Sequence, residues 1–164
     1  MAGYITGSAA VLDGNNAIQT QSYGSASRGG ACKSDVIVSD GDIYELEFHD
    51  PDILVSISQE AYNMYADELG PDTILIIDPD LVNIDKKNKN TYEITATEIA
   101  YKKFKRKIVS NLVLLGYLTA IAGPVSKKAM HESIKQRVPK GTEKMNLDAF
   151  EEGYKLGLKD KKKR

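Results

Sequence analysis

The pattern of apolar and polar positions predicts strands in the first half of the chain. Residues 53–57 and 73–77 are continuous runs rich in β-branched residues, ILVSI and TILII, and residues 16–22 and 35–39 are two further strand candidates. Unbroken apolar strands, as opposed to alternating ones, are typical of a sheet covered on both faces. We therefore expect a buried sheet.

A helix is predicted between the two apolar strands. Apolar residues recur at helical spacing from Gln59 to Leu69, and Gly70-Pro71 then ends the pattern. A strand, a helix and a second strand form a βαβ unit, whose crossover is right-handed and whose strands are parallel.

The second half of the chain is predicted to be mostly helical. Thr97 is predicted to cap a helix running to Phe104, and an apolar helix follows at 108–123. Ser126 and Asn146 are predicted to cap two more helices. Their apolar stripes are Met130, Ile134 and Val138, and then Leu147, Phe150, Tyr154 and Leu158. We expect one domain over residues 1–164, of the three-layer α/β/α class with a mostly parallel sheet.

Composition argues against a general nucleic-acid binder and against several kinds of disulfide and metal site. The chain has 164 residues and a net charge of −1, whereas a general nucleic-acid binder is normally strongly basic. A single cysteine excludes a disulfide framework and any all-cysteine metal or iron–sulfur site within this chain. With two histidines, a metal site built on imidazole is not expected either.

The net charge conceals a strong asymmetry. Residues 1–82 carry 14 acidic and 2 basic side chains, and residues 83–164 carry 9 acidic and 20 basic ones. Either the two halves interleave so that their fields cancel, or an acidic and a basic face meet different partner chains. The sequence leaves both interpretations open.

No membrane segment or signal peptide is predicted. The most apolar run, residues 108–123, is 16 residues long and contains Ser110, Asn111 and Thr119. A helix that crosses a bilayer needs about 20 mostly apolar residues. The N-terminal residues lack a basic start followed by an apolar core, so we expect a cytoplasmic protein.

A polar and glycine-rich segment is the main candidate for function. Residues 19–30, QTQSYGSASRGG, follow directly on a predicted strand, where ligands and partners of an open α/β sheet bind. Gly24, Gly29 and Gly30 would let the backbone approach a ligand or another chain closely, and Arg28 suits a carboxylate or phosphate. The alternative is an ordinary flexible loop. The glycine spacing does not match a dinucleotide-binding fingerprint.

Two Asp-Pro-Asp triplets and one polar junction are weaker candidates. Residues 50–52 and 78–80 could supply carboxylates to a cation, but Asp and Pro are also favoured turn residues, and turns are the better interpretation. Ser58-Gln59-Glu60 lies at a strand-to-helix junction, where capping by Ser58 is favoured over a functional role.

The remaining candidates are a basic cluster and the cysteine. The cluster comprises Lys102, Lys103, Lys105, Arg106 and Lys107, and it indicates either a solvated helix end or a site for an acidic partner or a phosphate. Cys32 is interpreted as a buried cysteine in preference to a reactive thiol, because no histidine accompanies it in the motif.

Three separated segments of the chain resemble a known family. QTQSYGSASRGGACKSDVIVSD, SISQEAYNMY and RVPKGTEKMNLDAFEEGY are similar to the gamma subunit of 2-oxoacid:ferredoxin oxidoreductases, the equivalent of one domain of pyruvate:ferredoxin oxidoreductase. The resemblance covers nearly the whole chain. The Gln-Thr-Gln-Ser start is most similar to the 2-oxoglutarate type, while pyruvate, 2-oxoisovalerate and indolepyruvate types remain open. Family members usually begin with a strand and a glycine-rich loop, which this chain is expected to lack.

The resemblance implies a role in oxidative decarboxylation. The family converts a 2-oxoacid to an acyl-coenzyme A on thiamine diphosphate and passes electrons through iron–sulfur clusters to ferredoxin. Thiamine diphosphate, Mg and the clusters would lie on other chains, with no cofactor held by this chain alone and no catalytic residue in it. The partners would be the other subunits and, through the complex, ferredoxin.

The resemblance also implies where this chain meets the cofactor-bearing subunits. The residues for a cofactor-binding or subunit-interface role are Gln21, Ser22, Tyr23, Gly24, Arg28, Gly29 and Gly30. The alternative function is a free-standing small-molecule or anion-binding module without a catalytic role. A further alternative is a degenerate relative that takes no part in catalysis.

Overall fold

A computed structural model describes residues 1–23, 32–47, 50–85 and 89–163. It is a mixed α/β structure that divides into two compact units. The first comprises Met1–Thr20, Asp35–Leu46 and Ala96–Arg164, and the second comprises Gln21–Ser34 and Glu47–Thr95.

The first unit is mainly helical. Its helices are α1 (Ala2–Leu12), α3 (Ala96–Phe104), α4 (Ser110–Ile121), α5 (Lys127–Arg137) and α6 (Glu143–Lys161). A 3₁₀ turn, Lys107–Val109, leads into α4. The predicted apolar helix is α4, and all of its residues from Leu112 to Ile121 are buried. It packs mainly against α6, while α1 packs against α5.

Polar contacts join α1 to α5. The Ser133 hydroxyl, which is buried, donates to the carbonyl oxygen of Ile5 at 2.8 Å. The carboxylate of Asp13, just after α1, accepts from the backbone N–H and the hydroxyl of Ser126 at 2.5 and 2.6 Å. The Ser126 hydroxyl also accepts from the Ala129 N–H at 3.1 Å, so the predicted cap is present.

Glycines bring α4 and α6 unusually close together. A Cβ atom placed on Gly153 would lie 1.8 Å from the carbonyl oxygen of Val113, and one on Gly116 would lie 1.9 Å from that of Phe150. Neither position has room for a side chain, so the two backbones are in direct contact there. The Lys161 ammonium caps the last turn of α4 by donating to the carbonyl oxygen of Ile121 at 3.0 Å.

The second unit contains a parallel sheet. Its strands are β3 (Ile53–Ser56), β4 (Ile74–Ile77) and β5 (Thr91–Glu93), in the order β3-β4-β5, and both pairs are parallel. Helix α2 (Gln59–Tyr65) and a 3₁₀ turn (Ala66–Glu68) connect β3 to β4, which confirms the βαβ prediction. Leu75, Ile77 and Val82 form the core of this unit.

Strands β1 (Asn16–Tyr23) and β2 (Cys32–Ser39) form a separate two-stranded sheet. Both strands were predicted, although β2 begins three residues earlier than the pattern indicated. Each of these strands is divided between the two units. Residues 16–20 and 35–39 belong to the first unit, and residues 21–23 and 32–34 belong to the second.

Several predicted helix boundaries were wrong. Helix α3 begins at Ala96, so Thr97 lies inside its first turn and is not the cap. Helix α6 begins at Glu143, and Asn146 lies in its first turn. The Asn146 amide donates back to the carbonyl oxygen of Thr142 at 2.9 Å, which explains why this residue gives a cap-like signal from within the helix.

Two further expectations need correction. Strand β5 was not predicted, because its three residues are defined by pairing with β4, as in the register Leu75 to Thr91. In α6 the buried positions include Phe150, Gly153 and Gly157, whereas Leu158 is 40% exposed. The buried stripe thus follows the close approach to α4, which buries Gly153 and Gly157 along with Phe150 and leaves Leu158 partly exposed.

Candidate functional site

The carboxyl ends of the parallel strands in the second unit form one edge of the sheet. Ser56 at the end of β3 pairs with Ile77 at the end of β4, and Ile77 pairs with Glu93 at the end of β5. In open α/β sheets, ligands and partners bind outside this edge. We call the segments that follow β3 and β4, residues 57–59 and 78–83, the carboxyl edge.

The first carboxyl-edge segment is fixed by capping. Ser58 is the N-cap residue of α2 in an extended conformation, and its hydroxyl accepts from the Ala61 N–H at 3.5 Å. The hydroxyl of Ser56, which is buried, donates to the carbonyl oxygen of Ser58 at 3.2 Å. Capping, the favoured interpretation of the Ser58-Gln59-Glu60 junction, is what the structure shows.

Gln59 joins the two carboxyl-edge segments. Its side-chain oxygen accepts from the Asn83 N–H at 2.7 Å, and its amide nitrogen donates to the Asn83 carbonyl oxygen at 3.1 Å. The same nitrogen donates to the Asn63 side chain at 2.8 Å. This reciprocal pair holds the start of α2 against the segment after β4. Sequence analysis singled out Gln59 but missed Asn83, which lies 24 residues away and carries no local motif.

The Asp-Pro-Asp triplet after β4 is a turn. Asp78 is fully buried, and its carboxylate accepts from the Asp80 N–H at 3.2 Å. Its carbonyl oxygen accepts from the N–H groups of Leu81 and Val82, each at 3.0 Å. These contacts show that the triplet forms a turn after β4, which was the favoured interpretation.

The other triplet lies at the opposite end of the sheet. Residues 50–52 precede β3, and the Pro51 carbonyl oxygen accepts from the Thr73 hydroxyl at 2.8 Å. The two triplets therefore cannot share a cation. Within the part of the chain that the structure describes, no three His, Cys, Asp or Glu side chains are grouped so that they could hold a metal ion.

The predicted interface residues are described only in part. Gln21 and Ser22 lie at the end of β1 and are exposed, and Tyr23 is the last residue of that strand. Gly24, Arg28, Gly29 and Gly30 lie outside the described residues. The structure thus places the polar start of the candidate segment at a strand end, as predicted.

Strand β2, which follows the candidate segment, contacts α2. The Lys33 ammonium lies 5.3 Å from the centroid of the Tyr65 ring, a cation–π distance. Cys32 beside it is exposed, so the expectation of a buried cysteine was wrong. Its position at the start of β2 leaves the sulfur on the surface of the molecule.

Apolar side chains are exposed on and beside the carboxyl edge. Val55 and Ile57 are two residues apart on one face of β3 and its extension, and they are 38% and 43% exposed. Leu81 after β4 and Met64 on α2 are also exposed. A polar scaffold with exposed apolar neighbours is typical of a surface that another protein covers.

The basic cluster is partly neutralised. Lys102 pairs with Glu98 at 2.5 Å, and Lys103 pairs with Glu152 on α6. The cluster continues past the end of α3 with Lys105, Arg106 and Lys107.

The chain does not fit an iron–sulfur cluster. A cluster is held by four protein ligands that are mostly cysteine thiolates, and Cys32 is the sole cysteine of the sequence. Among the described residues, none of the helices combines the length and the apolar character that a membrane span requires.

Comparison with known proteins gives a consistent family match. Residues 1–156 match the family model described as pyruvate ferredoxin/flavodoxin oxidoreductase. The chain is 46% identical over 160 residues to the 2-oxoglutarate synthase subunit KorC of Methanocaldococcus jannaschii, covering 95% of this chain and 86% of that protein.

Two solved structures share the fold. The gamma subunit of a keto/oxoacid ferredoxin oxidoreductase from Geobacter sulfurreducens is 38% identical, with a TM-score of 0.84 over 96% of this chain and 90% of that one. The 2-oxoglutarate:ferredoxin oxidoreductase of Magnetococcus marinus, solved with 2-oxoglutarate, coenzyme A and succinyl-CoA bound, is 21% identical with a TM-score of 0.81. The match covers 97% of this chain and 28% of that one, and at 21% identity it supports the fold alone.

Proposed function

Since the chain belongs to the pyruvate ferredoxin/flavodoxin oxidoreductase family, we propose that it is the gamma subunit of a multi-subunit 2-oxoacid:ferredoxin oxidoreductase. The reaction is the oxidative decarboxylation of a 2-oxoacid, 2-oxoglutarate in our proposal, to an acyl-coenzyme A with electron transfer to ferredoxin. The observation that carries this proposal is the 46% identity to a 2-oxoglutarate synthase subunit over 95% of the chain.

In this proposal the chain contributes surfaces and not redox centres. A single cysteine cannot supply the ligands of an iron–sulfur cluster, so the clusters belong to other subunits, together with thiamine diphosphate and Mg. The complex acts in the cytoplasm, and the chain is one gamma-type domain over residues 1–164. The family match over residues 1–156 disfavours a free-standing binding module.

We propose that the interface includes the carboxyl edge and the segment from Gln21 to Gly30. The exposed carboxyl end of β1, the scaffold around Gln59 and the apolar side chains of Val55 and Ile57 all belong to the second unit. The Gln59–Asn83 bonds would keep this surface in one shape, so that little ordering is needed when a partner binds.

Copurification tests the proposal directly. The tagged chain is purified gently and without oxygen from its native cells, the accompanying chains are identified, and coenzyme A-dependent reduction of a viologen dye is assayed with several 2-oxoacids. We expect iron–sulfur partner chains and turnover with 2-oxoglutarate. Purification of the chain alone, without activity in the eluate, would contradict the proposal.

A matched pair of variants tests the site. Arg28→Gln removes the cation of the candidate segment, and we expect weaker assembly or lower turnover. Lys89→Gln is the control, because Lys89 pairs at 3.1 Å with Asp72 and both side chains are largely exposed, where an ion pair contributes little. Equal activity of the two variants would argue against Arg28.

A further inference from the structure

The corner between α3 and α4, residues 101–108, projects apolar side chains into solvent. Ile108 is 74% exposed and Tyr101 is 55% exposed. The next residue, Val109, is 1% exposed, so the 3₁₀ turn that carries Ile108 is anchored in the core of the first unit. Ile108 is therefore a protruding apolar residue on a fixed support. We call residues 101–108 the basic corner.

The backbone of the basic corner has an unusual conformation. Lys105 has a φ of +55°, in the left-handed region that disfavours residues with a side chain. The other described residues with positive φ are the glycines Gly14, Gly123 and Gly141. A lysine thus occupies a position at which this chain otherwise uses glycine, and its ammonium lies 5.8 Å from the Tyr101 ring. Its N–H donates to the carbonyl oxygen of Tyr101 at 3.0 Å, so the left-handed residue ends α3 and fixes the start of the corner.

Part of the positive charge near Ile108 is not neutralised by carboxylates. Lys102 and Lys103 have carboxylate partners, but Arg106 and Lys107 form no ion pair with any residue that the structure describes. The surface around Ile108 therefore combines an apolar centre with unpaired cations.

The same unit contains an acidic cleft of matching character. This open cleft of about 500 Å³ is lined by Val11, Ala17, Ile18, Ile43 and Tyr44, together with the polar residues Asn15, Asn16 and Asp42. Tyr44 is 87% exposed, and its hydroxyl donates to Asp42 at 3.2 Å.

Acidic side chains in and near the lining segment 42–44 carry negative charge without a cation partner. Asp40, Asp42 and Glu45 are exposed, and none of them pairs with a cation in the described part of the chain. The cleft thus has both apolar and polar walls, with one acidic lining residue and two exposed acidic residues near it in the sequence, and so complements the basic corner.

We propose that the basic corner docks into the acidic cleft of a second copy of this chain. Ile108 enters the cleft beside Val11 and Ile18, while Arg106 and Lys107 face the carboxylates of Asp42 and Glu45. A two-fold axis makes the contact reciprocal, so each copy contributes one corner and one cleft. An unrelated acidic chain could cover the corner but would leave the acidic cleft without a cation, whereas a second copy satisfies both surfaces. The proposal does not depend on the proposed enzymatic function.

The first test is the mass of the full chain and of its variants, measured by sedimentation equilibrium over a range of concentrations. We expect a dimer whose dissociation constant rises at least about tenfold in Ile108→Ser and in the charge reversal Arg106→Glu/Lys107→Glu. Lys140→Glu/Lys144→Glu, the control, changes the same number of exposed charges elsewhere and should leave the dimer intact. A wild-type monomer, or a dimer unaffected by these changes, would overturn the proposal.

The second test uses complementary charge reversal. Asp42→Lys/Glu45→Lys should weaken the dimer as much as Arg106→Glu/Lys107→Glu does, because each variant brings like charges together. An equimolar mixture of the two variants restores opposite charges at both contacts, and we expect it to form a heterodimer. Circular dichroism confirms that each variant is folded. A mixture that stays monomeric, or zero-length cross-links from Lys107 to a different protein in the native complex, would refute a second copy as the occupant.

Discussion

At the scale of single residues, Glu151 on α6 is the clearest electrostatic feature. Its carboxylate lies 2.8 Å from the Lys127 ammonium and 2.7 Å from Nε2 of His131, both on α5. Burial raises the pKa of Glu151, but the hydrogen bonds and charges of Lys127 and His131 outweigh burial and hold that pKa below its ordinary value of 4.5. The native state therefore favours the ionised carboxylate.

This lowered pKa gives a pH-dependent stability. A group whose pKa is lower in the native state stabilises that state above its unfolded pKa and loses this contribution as the pH falls through the native value. We expect Glu151→Gln to reduce the free energy of unfolding by about 1 kcal/mol at pH 7. The difference from wild type should shrink as the pH falls below 4.5, the ordinary value. Urea denaturation across that pH range measures both quantities.

Glu132→Gln is the matched control for that prediction. Glu132 lies 3.6 Å from Lys135 within the same helix, and about half of each side chain is exposed. An exposed pair of this kind contributes little, so its removal should change stability only slightly at any pH. A loss at Glu151 that stays constant between neutral and acidic pH would show that packing, and not charge, is responsible.

At the scale of elements, the contact between α4 and α6 depends on the absence of side chains. In Gly153→Ala the new methyl group would overlap the carbonyl oxygen of Val113, at 1.8 Å, so the helices must separate. We expect the free energy of unfolding to fall by about 3 kcal/mol, in spite of the higher helix propensity of alanine. Chemical denaturation of the full chain measures this loss.

The same substitution in α1 should have the opposite effect. A Cβ on Gly7 would lie 3.8 Å from Val36 and 3.9 Å from Gln19, which are ordinary contact distances. Gly7→Ala should therefore gain the helix propensity of alanine, up to about 1 kcal/mol, without a clash. If Gly153→Ala is as stable as Gly7→Ala, the result would contradict the close approach of α4 and α6 at Gly153.

Elements defined by local chemistry were predictable, and those defined by pairing were not. Ser126 was correctly predicted as a cap because a hydroxyl directly before an apolar periodic stretch is a local signal. The cap of α6 was predicted at Asn146, whereas the N-cap residue is Thr142. The Asn146 amide donates back to the carbonyl oxygen of Thr142, so both polar residues have the sequence character of a cap. Strand β5 exists through its register with β4, which no local pattern encodes.

The candidate site also contains features that local sequence predicts and features that only the folded chain reveals. The strand end at Gln21 and Ser22 and the junction at Ser58 follow from local sequence and were predicted. The bonds between Gln59 and Asn83 join residues 24 positions apart and could be found only in the folded chain. The exposure of Val55 was also missed, because an unbroken apolar strand predicts burial on both faces whereas β3 has a neighbour on one side in the described sheet.

At the scale of the whole molecule, the ion pairs bear on the charge asymmetry between residues 1–82 and 83–164. In five lysine–carboxylate pairs both partners come from the basic half: Glu98–Lys102, Lys103–Glu152, Lys127–Glu151, Glu132–Lys135 and Asp160–Lys163. Five of the nine carboxylates of the basic half thus pair within that half, whereas Lys89–Asp72 joins the two halves. This favours distinct acidic and basic faces that meet other chains over two halves whose charges cancel by interleaving.

Assembly of the proposed oxidoreductase should therefore depend strongly on salt. The Debye length falls from about 30 Å at 0.01 M ionic strength to about 3 Å at 1 M, so contacts between charged faces weaken while apolar contacts persist. We expect the affinity of this chain for its partner subunits, measured by surface-immobilised binding in sodium chloride, to fall at least about tenfold over that range. Sucrose at matched osmolality is the control, because it leaves charges unscreened. An affinity that does not change with salt would mean that the two halves neutralise each other within the fold and that apolar residues such as Val55 and Ile57 carry the contact.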